Sequence, residues 1–332
     1  MSRADVAVAI LWIGATLYAV FGGADFGGGL WDLIAGDAER GERPRERIQR
    51  SLTPVWEANH VWLIFILVVL WTAFPEAFGA IMSTLYVPIA LAAVGIVLRG
   101  AGFAFRKSVQ RLEYRRAMGA AFALSSVLTP FFMGTVVGAI AAGNVSPEGN
   151  GDAFSSWLAP LPLLTGALFV ATGGYLAAVF LVVDSHRADD TEMEGYFASR
   201  ALGAGLVAGI FAIAGLIALH GEARYAYERL IVEGLPLVIV SALCGFGVLG
   251  LLLSRGRRGL RPLAVGAVVA VIWGWGVAQF PYLLPTSLKI SQAAAPGPTL
   301  DAVLIVFVVA AIVVLPALGL LYWLSQRALL EE

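Results

Sequence analysis

Cysteine is almost missing from this sequence: Cys244 is the one example in 332 residues, which excludes an intrachain disulfide and any thiolate cluster for zinc or iron–sulfur chemistry. Histidine is nearly as scarce, with three residues. Charge is sparse as well. Charged residues make up 14% of the chain, and the 22 Lys and Arg are offset by 23 Asp and Glu, so no basic surface is offered to nucleic acid. What fills the space is apolar: 59% of the chain is hydrophobic and the mean hydropathy is +0.82. Soluble domains carry about 25% charged residues, so a water-soluble globule is excluded, and the same composition excludes disorder. The solvent of this chain is lipid.

The apolar residues fall into nine segments long enough to cross a hydrocarbon core of about 30 Å, near 5–35, 52–75, 77–105, 117–143, 154–184, 198–220, 234–254, 261–283 and 300–326. A span in lipid must satisfy its own backbone, and these runs are too long and too rich in Leu, Ala and Gly to be alternating barrel strands. The sequence therefore predicts an all-α polytopic membrane bundle, 1–332 being one membrane domain. Eight spans divide into two sets of four, 5–143 and 154–283, with 300–326 left over. Residues 1–9 lack the pattern of a cleaved leader and read as part of a retained span.

Short loops rich in Lys and Arg stay cytoplasmic. One set of loops carries Arg40, Arg43, Arg45, Arg47, Arg50, Arg106, Lys107, Arg111, Arg115, Arg116, Arg187, Arg200, Arg255, Arg257, Arg258, Arg261 and Arg327, against Arg3, Arg224, Arg229 and Lys289 in the other. The bias predicts the N-terminus outside and the C-terminus inside. On the outer side, the proline-rich FPYLLPTSLKISQAAAPGPTL reads as a rigid connector or as a cap over a site.

A charge inside a span is costly and marks a functional candidate. Four candidates stand out: Asp25 in GGADFGGG, Glu57 and His60 in PVWEANHVWL, and Arg99 near the end of the third segment. With the predicted topology, Glu57 lies about five residues into its span, or about 8 Å at 1.5 Å per residue, and Asp25 and Arg99 fall at similar depth. Glu57 and His60, three residues apart, share a helix face. A cation beside one carboxylate and a low-dielectric setting for another are conditions that a proton relay combines; a buried ion-pair cluster that only fixes helix register satisfies the same membrane cost. The glycines of GGADFGGG follow no strand, so they suit close helix packing better than phosphate binding. The same packing role is expected of GAGLVAGIFAIAG. Trp12, Trp31, Trp56, Trp62, Trp71 and Trp323 lie mostly toward span ends, as an interfacial aromatic belt would place them. His60 is the one histidine expected inside the bilayer, which provides no pair of axial haem ligands and suits a polar network.

Taken together, GGADFGGGLWDL with its basic loop, PVWEANHVWLI, FPEAFGAIMSTLYVPIAL, VLRGAGFAFR and QFPYLLPTSLKISQAAAPGPTL resemble subunit II of the cytochrome bd-type quinol oxidases. The resemblance implies two four-helix bundles plus a peripheral helix, without haem ligands of its own. It also implies a partner, subunit I, that carries two b-type haems and one d-type haem and binds quinol. The complex would oxidise quinol outside and reduce oxygen to water with cytoplasmic protons, building a gradient in the bacterial cell membrane. Glu57 matches the acidic residue of a proton route, Trp62 an oxygen-entry tryptophan, Arg99 the arginine ending the third span, and Asp25 the second aspartate of the first-span pattern. The first aspartate of that pattern is Gly22 here, and an acid that some relatives carry five residues after Arg99 is Ala104; His60 is a candidate replacement, since imidazole both accepts and donates protons. A structural quinone and small single-span accessory subunits are further expectations of the resemblance. A proton-coupled secondary transporter and a purely structural scaffold are the alternative functions.

Overall fold

The computed structural model describes residues 2–36, 40–52, 56–108 and 112–326, and the side chains of 52, 56–60, 103, 106–108, 112–117, 315, 318 and 321–326 lie outside that description. Helices α1 (Arg3–Leu17) and α2 (Gly23–Leu33) form the first span, joined by a π-helical turn, Tyr18–Gly22. They are followed by α3 (Glu42–Leu52), α4 (Trp56–Ala73), α5 (Pro75–Thr84), α6 (Tyr86–Ser108), α7 (Leu112–Ala141), α8 (Pro160–Arg187), α9 (Thr191–Glu222), α10 (Arg224–Val232), α11 (Leu235–Leu253) and α12 (Leu260–Gln279). A two-stranded hairpin, β1 (Tyr282–Leu284) and β2 (Leu288–Lys289), leads through α13 (Ile290–Ala293) to α14 (Gly297–Gln326).

The helical membrane bundle expected from composition is the architecture found. Among the described residues, seven helices are long and apolar enough to cross a bilayer. The pair Val61–Ala73 and Pro75–Thr84 passes as an eighth, bent through 118°, and Tyr86–Gly102 is a shorter apolar helix. Each of the nine apolar segments thus meets a helix, but the third does not run straight from 77. Pro75 lacks an N–H and disfavours helical geometry at the residue before it, and Phe74 accordingly takes φ −138° and ψ 60°. The chain turns there into α5 and resumes as α6 only at Tyr86.

The 280–300 connector packs into this elbow. Leu283, Leu284, Leu288 and Ile290 are buried in one cluster with Ala73, Phe74 and Ala77. The Ala295 N–H donates to the Ala73 carbonyl at 2.8 Å, and Gln279 Nε2 donates to the Leu283 carbonyl at 2.6 Å. It is an ordered plug within the core at one end of the bundle. A second apolar core, at the other end, joins α2 to α8, α9, α11 and α12 through residues such as Trp31, Leu176, Phe197, Val248 and Leu260.

The α2–α8 contact needs glycine. A β-carbon at Gly27 would fall inside the Gly173 carbonyl group and 2.8 Å from the Gly174 nitrogen, and one at Gly173 would lie 2.7 Å from the Gly23 oxygen. The backbones touch, as small residues allow in lipid. Trp31 closes the contact by donating from Nε1 to the Gly174 carbonyl at 2.8 Å, and Trp12 donates likewise to Ile272 at 3.0 Å. These two indoles tie helices together, Trp31 buried and Trp12 half-buried, a packing role beyond that of an interfacial belt. Of the sixth-span glycines, Gly205 packs against Tyr175 at 3.4 Å as expected, whereas Gly203, Gly209 and Gly215 face nothing within 4 Å, on a helix whose Leu206, Ile210, Ile213 and Ile217 are exposed.

The basic first loop folds as α3 and crosses the ends of α8 and α9. Arg43 pairs with Asp190 at 3.3 Å and with Glu192, and Arg47 donates to the Asp184 carbonyl. Arg261 bonds Asp184 at 2.5 Å, and Arg257 bonds Glu194 at 2.5 Å. At the opposite end stand Arg3 with Asp301 at 2.8 Å and Arg224 with Glu228 at 2.8 Å. Among the described residues, these cations of the two sets distinguished in the sequence therefore mark opposite ends of the bundle.

Candidate functional site

Asp25 reaches the interior because it follows the π-helical turn on the face of the first span that packs against α6, α7 and α8. Arg99 comes from α6 and meets it. Arg99 Nη2 lies 2.6 Å from Asp25 Oδ1 and donates also to the Asp25 carbonyl at 3.0 Å. Its other terminal nitrogen, Nη1, donates to Ser126 Oγ on α7, and Ser126 donates in turn to the Phe122 carbonyl at 2.6 Å. The guanidinium stands between two aromatic faces, 4.9 Å from the Phe26 ring centre and 4.5 Å from that of Phe122. Arg99 is 2% exposed and Asp25 5%. A lone charge in such a setting would cost several kcal/mol; opposite charge, added hydrogen bonds and cation–π faces together offset that cost.

The pair is not fully satisfied. Asp25 Oδ2 and Arg99 Nε have no hydrogen-bond partner among the described residues. A buried carboxylate oxygen left open in a polar pocket is where water or a transferable proton would bind. Seven residues further along the same helix, Asp32 is 7% exposed and pairs with Arg45 of α3 at 3.2 Å, while Arg45 Nη2 donates to the Gly36 carbonyl at 2.6 Å. The first span therefore carries two buried carboxylates, about 10 Å apart at 1.5 Å per residue.

The structure brings together two of the four ionisable residues selected from the sequence, Asp25 and Arg99. Glu57 and His60 belong to the first turns of α4, and their side chains lie outside the described residues. Trp62, on the same helix, is half-buried with its indole edge-on to Phe65 at 6.3 Å. Among the described residues, no group of three or more His, Cys, Asp and Glu could hold a metal ion. His186 is engaged by Glu194 at 3.0 Å, and His220 packs edge-on to Tyr227 at 4.8 Å. Ser126, Asp32 and Arg45 were not singled out from sequence. Asp32 was visible seven residues after Asp25, whereas nothing in ALSSVLTPFF distinguishes Ser126 from any helix serine.

A family model described as cytochrome bd terminal oxidase subunit II matches residues 4–325. The chain belongs to that family. A putative cytochrome bd menaquinol oxidase subunit II of Bacillus subtilis (strain 168) is 20% identical to it, covering 97% of this chain and 95% of the relative. Cytochrome bd-I ubiquinol oxidase subunit 2 of Escherichia coli (strain K12) is 29% identical over 172 residues, 49% of this chain and 43% of the relative. Among solved structures, a chain of the bd oxidase from Geobacillus thermodenitrificans superposes with a TM-score of 0.82 at 24% identity, covering 97% of this chain and 98% of that one. The two share a fold. As a member of the bd oxidase subunit II family, the chain is an integral protein of the cytoplasmic membrane, and Asp25 and Arg99 are a feature of its buried interior.

Proposed function

We propose that this chain acts as the haem-free subunit II of a quinol:oxygen oxidoreductase, assembled with a subunit I that binds quinol and carries two b-type haems and one d-type haem. Those haems supply the electron transfer that reduces oxygen to water. The part assigned to this chain is to hold subunit I in the bilayer and to conduct protons from the cytoplasmic side, the side of Arg43, Arg47, Arg257 and Arg261. Residues 5–143 and 154–283 form its two four-helix halves, with 300–326 as the peripheral ninth span. Glu57, His60, Asp25 and Arg99 constitute the proton route, and Trp62 borders the entry path for oxygen. A structural quinone and single-span accessory subunits belong to the same reading.

The observation that carries the proton route is the buried Asp25–Arg99 pair with an open carboxylate oxygen. A pair serving only as a strut between helices would gain from closing every polar atom. One that passes protons needs an open lone pair within reach of water. Asp32 and Arg45, at the α3 end of the same helix, stand between this pair and the aqueous face. The charges also gather toward one end of the bundle, whereas a secondary transporter places them near the midplane.

Glu57→Gln tests the route. With the complex assembled and its haem content unchanged, quinol-driven oxygen consumption is expected to fall about a hundredfold, the low end of what a positioned proton-transfer group contributes. Parental oxygen consumption at every pH would show that Glu57 carries no protons.

A further inference from the structure

Beyond Asp25 and Arg99, toward the opposite end of the bundle, α7 and the first span continue to place polar groups opposite each other. The two run antiparallel: Ser126 shares the Arg99 guanidinium with Asp25, and Tyr18, seven residues before Asp25, meets Met133, seven residues after Ser126. Tyr18 opens the π-helical turn, a local feature frequent at functional sites, and among the described residues its hydroxyl meets only the Met133 thioether, a weak acceptor, at 3.6 Å. It stands two helical turns from Asp25 on the same span. Between the two levels, one turn beyond Ser126, stands Thr129. It is 0% exposed and its Oγ1 has no partner among the described residues. A helix threonine commonly returns its hydroxyl to a carbonyl one turn back, as Thr165 does to Leu161 at 2.8 Å. Thr129 does not.

Each of these hydroxyl-bearing side chains faces a glycine. A β-carbon at Gly29 would strike Ser126 Oγ, and one at Gly95 would strike Thr129 Oγ1. One at Gly22 would touch the Tyr18 ring at 3.0 Å. Gly95 is one turn from Arg99 on α6, and the Thr129 hydroxyl packs into the space that its missing side chain leaves. Three glycines thus let these three side chains seat directly against helix backbone.

We propose that Ser126, Thr129 and Tyr18 form a water-bridged hydroxyl file that carries protons onward from the Asp25–Arg99 pair; the inference rests on the proton route proposed above and extends it with residues outside it. Successive levels on α7 are about 5 Å apart along the axis at 1.5 Å per residue, a gap that one water bridges. A hydroxyl relays without net ionisation: its oxygen accepts an incoming proton on a lone pair and releases the proton it held to the next acceptor. The file therefore needs no further buried charge, which suits a segment deep in the bilayer.

The test uses the whole complex, with haem content as the check on assembly, and reads quinol-driven turnover in H2O and D2O for Tyr18→Phe, Thr129→Val, Thr129→Ser and Asp25→Asn. Tyr18→Phe and Thr129→Val are expected to turn over about tenfold more slowly with a larger solvent isotope effect, a modest loss for a proton-transfer group. Thr129→Ser, which keeps the hydroxyl, should match the parent. If Tyr18→Phe fails to assemble, the two Thr129 variants decide. A Thr129→Ser variant as slow as Thr129→Val would show that volume, and not the hydroxyl, is required, and would overturn the file. Parental rates and isotope effects in Tyr18→Phe and Thr129→Val, with Asp25→Asn slow, would overturn the file and leave the Asp25 route standing. Parental behaviour in all of them would remove both.

Discussion

Replacing Arg99 by leucine is expected to destabilise the assembled complex by about 3–5 kcal/mol, the usual cost of removing one partner from a buried ion pair. The side chain satisfies Asp25 and Ser126 at once and fills the space between Phe26 and Phe122. Leucine restores part of the volume and none of the charge, so Asp25 is left as an uncompensated carboxylate in the bundle interior. The double variant Asp25→Asn/Arg99→Leu removes both charges and should recover part of the loss, a coupling that a double-mutant cycle measures directly. Thermal unfolding of the purified complex, followed by haem release, provides the comparison. If Arg99→Leu melts with the parent, the pair contributes nothing to holding α2 against α6.

Gly27→Val is expected to be as damaging for a different reason. The atoms that its β-carbon would meet are backbone atoms of Gly173 and Gly174, which cannot rotate aside as a side chain would. Relief requires α2 and α8 to separate, and separation breaks the Trp31–Gly174 hydrogen bond of 2.8 Å and opens the apolar core below it. Overpacking a core costs about 1–3 kcal/mol when side chains can adjust. Here the loss should exceed that range and appear as failure to accumulate assembled complex in the membrane. Gly79→Ala is the control, since a β-carbon there meets nothing within 4 Å, and it should assemble normally.

The parts of this structure that were legible in the sequence are those where lipid imposes a penalty. Nine apolar runs had to be helices because a span must satisfy its own backbone in a bilayer and these runs are too long and too rich in Leu, Ala and Gly for barrel strands. Asp25 and Arg99 had to find partners because an unpaired charge there is so costly, and they found each other. The cationic loops sorted to opposite ends for the same kind of reason. Penalties do not identify partners that cost little. Ser126 and Thr129 carry hydroxyls that a helix backbone normally absorbs, so neither stands out in ALSSVLTPFF. Glycine composition is ambiguous in the same way: GGADFGGG and GAGLVAGIFAIAG look alike, yet Gly27 abuts a backbone while Gly203 and Gly209 meet nothing within 4 Å. What decides is the element opposite, which no local window contains. The elbow at Phe74 was marked by Pro75, but the apolar run continues through it, and the hairpin that fills it is too short to give a strand signal.

The central claim, that this chain is a bd oxidase subunit working beside a haem-bearing partner, is tested most directly by the visible absorption spectrum of the complex purified through a tag on this chain from its own membranes. The expected spectrum contains b-type bands and a d-type band toward the red end, in a preparation that consumes oxygen with quinol. A preparation of full-length chain that retains other membrane subunits but shows no haem absorbance would contradict the account.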